Sequence, residues 1–143
     1  MPAPQNRAMI LDRRLFSSGS AYEPMIGYSR AVRVGPFVFV SGTTASSPDG
    51  PVGADDAAAQ TEEILRRIGA ALEQAGAHLH DVVRTRIFLT SIDDFERVGR
   101  VHGAAFGDIR PVTSIVAVSA LAAPALLVEI EADAVIPDGP DRA

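Results

Sequence analysis

The 143-residue chain contains no cysteine. Thiol nucleophiles, thiolate metal ligands, iron–sulfur clusters and disulfides are therefore excluded. It contains no lysine either, because all 13 basic residues are arginine. Schiff-base and pyridoxal-phosphate chemistry, which needs a lysine amine, is excluded with it. So is a P-loop lysine. No apolar run approaches the roughly 20 residues of a membrane span. Met1 to Arg7 is polar and proline-containing, unlike a signal peptide, so a cytoplasmic protein with no membrane partner is expected. There is no internal repeat and no low-complexity linker. Basic residues fall short of the 18 acidic ones, giving a net charge of −5. That balance opposes a nucleic-acid backbone partner, which needs a positive field.

What remains is arginine, carboxylates, histidine, hydroxyls, backbone amides and water. The length suits one domain over 1–143. The folded core is expected at about 20–136, with an extension at 1–19 and a tail at 137–143.

Ala31–Val34 and Phe37–Gly42 are β-rich, and Gly35-Pro36 between them makes a hairpin. A loop over Thr43–Gly53 follows. From Asp55 to Ala75, the residues Ile64, Leu65, Ile68, Ala71, Leu72 and Ala75 form one helical stripe that Gly76 ends. Val82–Thr90 alternates, with Val83, Thr85, Ile87 and Leu89 on one face and Arg84, Arg86 and Phe88 on the other. A second helix carries Phe95, Val98, Val101, Ala105 and Phe106 on its stripe, and Gly107 ends it. Pro111 predicts an extended Arg110. Thr113–Val118 and Leu126–Val135 read as strands.

The order is β-β-α-β-α-β-β. Two helices cannot cover both faces of such a sheet, so they pack on one face of a mixed sheet in an α+β sandwich. The other face needs a cover, and a second copy of the chain is the evident one.

Four segments, in this order, carry a resemblance: Gly27-Tyr28-Ser29-Arg30-Ala31-Val32, Phe39-Val40-Ser41-Gly42, Asp81 to Thr90, and Leu127-Val128-Glu129-Ile130-Glu131-Ala132. Over about 22–136 the chain resembles the reactive intermediate/imine deaminase family, also called RidA/YjgF or endoribonuclease L-PSP-like proteins. The resemblance implies a chorismate-mutase-like fold and a homotrimer with clefts between subunits. It also implies cofactor-free and metal-free hydrolysis of small enamines and imines to 2-keto acids and ammonia. By motif position it assigns Tyr28 and Glu129 to catalysis, Glu129 holding water. Ser41, Gly42 and Phe88 would line the substrate pocket.

The family motif Pro-Ala-Arg-Ser/Thr-x-Val appears here as Pro111-Val112-Thr113-Ser114-Ile115-Val116. Thr113 stands where the carboxylate-binding arginine belongs, and a threonine cannot fork onto a carboxylate. This marks a divergent subgroup. Thr113 shares a strand side with Ile115, and apolar parity puts both away from the helices, lining the cleft. Arg84 or Arg86 would serve as a replacement clamp or an interface ion pair. Arg30 is a further clamp candidate, and Arg110 reads as a turn or rim residue. Glu131 and Asp133 read as a solvated strand face.

His78 and His80 form a His-x-His loop with no evident third metal ligand. His102 reads as a helix-surface or interface residue. Three functions follow: a deaminase-like hydrolase, a metabolite-binding trimer without turnover, and a ribonuclease that the charge opposes.

Overall fold

A computed structural model describes residues 12–137. The expected readings of Met1–Arg7 and of the tail beyond Pro137 lie outside those residues. Six strands and three α-helices follow in chain order among these residues. They are β1 (Arg13–Phe16), α1 (Tyr22–Ile26), β2 (Ala31–Val34), β3 (Phe37–Thr43), α2 (Ala57–Gln74), β4 (Val82–Leu89), α3 (Phe95–Phe106), β5 (Val112–Ala117) and β6 (Val128–Val135). The strands form one mixed sheet in the order β1-β2-β3-β6-β4-β5. Only β4 and β5 pair in parallel, joined through α3.

The predicted order holds, with β1 and α1 added before it. The expected extension thus carries an edge strand: Arg13–Phe16 pairs antiparallel with Ala31–Val34.

Helix α2 begins at Asp56, whose carboxylate accepts from the Ala58 and Ala59 amides. It ends where Gly76 takes a φ of 86°, a left-handed turn that glycine adopts without steric cost. Its stripe (Ile64, Leu65, Ile68, Leu72) is buried against Val38, Val40, Ile130 and Ala132 of the sheet.

Three local readings need correction. Val83 is exposed rather than inward, because the β4–β6 register shifts between Val82 and Arg84. Phe95 is exposed at the start of α3. Arg110 is not extended: its φ is 56°, and its amide donates to the Phe106 carbonyl. Gly107 remains helical, so this arginine makes the left-handed turn that ends α3.

Ile87, Leu89, Val128 and Ile130 are sealed on the helix side. The opposite side is open, and it is apolar at both flanks. Leu15, Phe37 and Phe39 lie exposed at one flank, and Val112 and Val116 at the other. Between them runs a charged row in which Arg86 pairs with Glu131 at 3.1 Å and Asp133 at 3.3 Å.

Candidate functional site

The open face ends in a corner built by one irregularity. Val40 pairs with Ala132 and Thr43 with Ile130, so three steps along β3 match two along β6. The surplus residue bulges β3 at Ser41-Gly42 and takes their carbonyls out of the ladder. Arg30, just before β2, supplies the missing donors. Its Nη1 donates to the Gly42 carbonyl at 2.8 Å and to Thr43 Oγ1 at 3.0 Å, with a longer contact to the Ser41 carbonyl at 3.4 Å. Its Nη2 reaches the Tyr28 hydroxyl at 3.5 Å, and the guanidinium lies 5.7 Å from the centre of that ring.

Glu129 meets the same bulge from β6. A Cβ on Gly42 would stand 2.7 Å from Glu129 Oε2, so only a glycine leaves the carboxylate room. Phe88 pairs directly with Glu129 across β4–β6. Burial raises the Glu129 pKa above the usual carboxylate range; the neighbouring Glu131 charge adds to this and the Arg30 charge opposes it. The shift makes the Glu129 carboxylate a stronger base than an ordinary one, which suits proton exchange with water.

Tyr28 is positioned from the other side. Gly27 ends α1 with a φ of 86°, and the Tyr28 amide donates to the Glu23 carbonyl at 3.0 Å. The Glu23 carboxylate is buried and accepts from Ser18 Oγ at 2.6 Å and from the Ser18 and Ser20 amides. The Ser18 hydroxyl is the main reason its pKa falls below the usual value. Ser41 Oγ donates to the Ser29 carbonyl at 2.6 Å, which ties the bulge to the Tyr28 segment. Beside these residues lies a cleft of about 560 Å3, bordered by Tyr28, Ser41, Leu15 and Arg13.

Six residues singled out in the sequence (Tyr28, Arg30, Ser41, Gly42, Phe88 and Glu129) are therefore brought to one corner. Arg86 lies on the same face, but its charge is already matched by Glu131 and Asp133. Thr113 and Ile115 are not at this corner, and their predicted side is reversed. Thr113 pairs in register with the fully buried Thr85, and the two hydroxyls lie 2.8 Å apart. Thr85 Oγ1 also meets His102 Nε2 of α3 at 2.8 Å. Ile115 packs against the core beneath the helices. The more apolar side of β5 is the open one, which misleads a parity argument that assumes apolar means helix-covered.

His102, expected at the helix surface or an interface, is half buried and lies against the Phe106 ring. Burial holds its pKa below the usual 6.5. His78 and His80 stack on each other. Among the described residues, no group of three or more His, Asp or Glu side chains could hold a metal ion. Among the same residues, no helix is long and apolar enough to cross a membrane. Thr43 was not singled out in the sequence; its role as an Arg30 acceptor depends on the bulge, which one strand's sequence does not reveal.

The family model described as endoribonuclease L-PSP matches residues 6–136. The chain belongs to this family. A RutC family protein of Pyrococcus abyssi is 37% identical over 113 residues, covering 78% of this chain and 88% of that protein. Reactive Intermediate Deaminase A, chloroplastic, of Arabidopsis thaliana is 30% identical over 115 residues, covering 80% of this chain and 62% of that one. The solved structure of a YjgF/YER057c/UK114 family member from Mycobacterium tuberculosis is 60% identical, with a TM-score of 0.80 over 87% of this chain and 100% of that chain. A Rid family protein of Yersinia pestis gives 34% and a TM-score of 0.77, over 87% of this chain and 100% of that chain. The expected family and α+β fold are thus those of the molecule. Thr113, at the position where the resemblance implies an arginine, lies in register with the buried Thr85, on the face opposite Glu129.

Proposed function

We propose that the chain is a deaminase-like hydrolase of small reactive enamines or imines, working at clefts completed by further copies of itself in a homotrimer. The observation that carries this reading is the half-buried Glu129 carboxylate, seated on Gly42 beside Tyr28 and Ser41. In its base form Glu129 takes a proton as water adds to the imine carbon. The new C–O bond forms while the C=N electron pair moves to nitrogen, which receives the proton that Glu129 took from the water. The tetrahedral adduct then loses ammonia as its hydroxyl becomes the carbonyl. Tyr28 and the Ser41-Gly42 backbone orient the substrate, and Phe88 walls it. No metal or organic group enters this scheme. The likeness to a named reactive intermediate deaminase supports it, and the exposed apolar open face supports the trimer.

The test is ammonia release from 2-aminoacrylate generated in place by a dehydratase. The expected result is acceleration over buffer that Glu129→Ala abolishes. A rate equal to buffer, unchanged by that substitution, rejects the reading. A second reading, a metabolite-binding trimer without turnover, is favoured by Thr113 at the arginine position. Ligand-induced stabilisation without product would support it.

A further inference from the structure

The arginines of this chain divide by what they hold. Arg66, Arg67, Arg86, Arg97 and Arg100 each pair with a carboxylate. Arg30 does not, although it lies close enough to Glu129 for its charge to act on that carboxylate. Among the described residues it makes no ion pair. Its inner nitrogen, Nη1, is spent on the bulge at Gly42 and Thr43. Those bonds fix the plane of the guanidinium while leaving its charge unneutralised. The outer edge, Nε and Nη2, has one protein contact, the 3.5 Å approach to the Tyr28 hydroxyl. A fixed fork with a free edge is the arrangement that accepts a planar anion in bidentate fashion.

A partly buried cation beside a partly buried carboxylate would ordinarily collapse into an ion pair. Here the bulge holds the two apart, one on the Gly42 carbonyl and the other against its Cα. A ligand can therefore present an anionic group to Arg30 and a neighbouring electrophilic carbon to the Glu129 side.

We propose that Arg30 is the anion-recognising residue of this site, taking the planar anionic group of the substrate on its free Nε/Nη2 edge. The assignment rests on the catalytic reading of Glu129. It also gives the chain a carboxylate anchor on a different strand from the position where Thr113 stands.

The test uses pyruvate, a 2-oxo acid of the product class, and pyruvamide, the same skeleton without the charge. Binding to the full chain is read by NMR or calorimetry. Pyruvate should bind about ten- to a hundredfold more tightly than pyruvamide, and more weakly at high salt. Arg30→Gln should erase the difference. Arg30→Lys, which keeps the charge and loses the fork, should restore part of it. In turnover of 2-aminoacrylate, Arg30→Gln should raise KM by a similar factor and change kcat far less.

Equal binding of acid and amide by the unmodified protein overturns the proposal without any variant. An acid preference that survives in a folded Arg30→Gln protein also overturns it. Arg30-dependent pyruvate binding with no ammonia release would uphold the anion site and reject the hydrolase. Glu129-dependent ammonia release with an Arg30-independent KM would do the reverse.

Discussion

Gly42→Ala tests the site without dismantling the fold. The added Cβ would lie 2.7 Å from Glu129 Oε2 and 3.0 Å from its Cδ, where ordinary contacts begin at 3.4 Å. The carboxylate must retreat by about 1 Å. Its end is flexible, so the strand need not move. Gly42 has no left-handed backbone, so alanine is not strained there. Replacing a strand glycine also removes unfolded-state freedom, which favours the folded chain by about 0.5–1 kcal/mol. The melting temperature should accordingly stay within about 3 °C of the parent. A displacement of about 1 Å at a reacting group costs roughly a hundredfold in rate, which is about 2.7 kcal/mol of barrier. The assay is kcat/KM for ammonia release, paired with a thermal melt. A Gly42→Ala protein with unchanged kcat/KM refutes the claim that Glu129 acts from this seat. A fall of 10 °C in melting temperature refutes the claim that the clash is confined to a side-chain end.

Burial raises the Glu129 pKa, so activity should fall with acid through a midpoint above the ordinary 4.5, and Arg30→Gln should move that midpoint higher still; a pH–rate profile checks both. The His102 pKa is lowered by burial, so below 6.5 the unfolded chain binds more protons than the native one. Stability should therefore fall as pH drops from 6.5 toward the native pKa and then level off, as denaturant melts across pH would show. Thr85→Val removes the buried hydroxyl that links His102 to Thr113 and should cost about 1–2 kcal/mol in the same melts. If the proposed homotrimer is right, the solution mass measured by light scattering is three times the 15.0 kDa chain, and Phe39→Glu, which places a charge on the open apolar face, should reduce it to one.

Much of the fold was legible because its helices and inner strands bury one clean face each. Ile64, Ile68 and Leu72 are spaced for a helix, and Val128, Ile130 and Ala132 for a strand. Strand β1 was not legible. Arg13-Arg14-Leu15-Phe16 has no alternation, and the backbone pairing to β2 that defines it leaves no mark on side-chain chemistry. Parity puts Thr113 and Ile115 on the wrong face because it assumes one covered side. In β5, Val112 and Val116 point to the side without helices, and their apolarity reads as a core within the chain. The corner residues were visible as separate motifs. Their convergence depends on Thr43 pairing with Ile130 across most of the chain, and on a bulge that only the paired strands reveal.

That bulge makes residue count a chemical variable. Deleting one residue from β3 would let the β3–β6 ladder run unbroken and so strengthen the sheet. It would also return the remaining bulge carbonyl to the ladder and leave Arg30 without its anchor. The stripes that specify the sandwich would be untouched. Within this architecture, then, the deletion of a single codon would be enough to dismantle the site, with the helix-facing stripes unchanged.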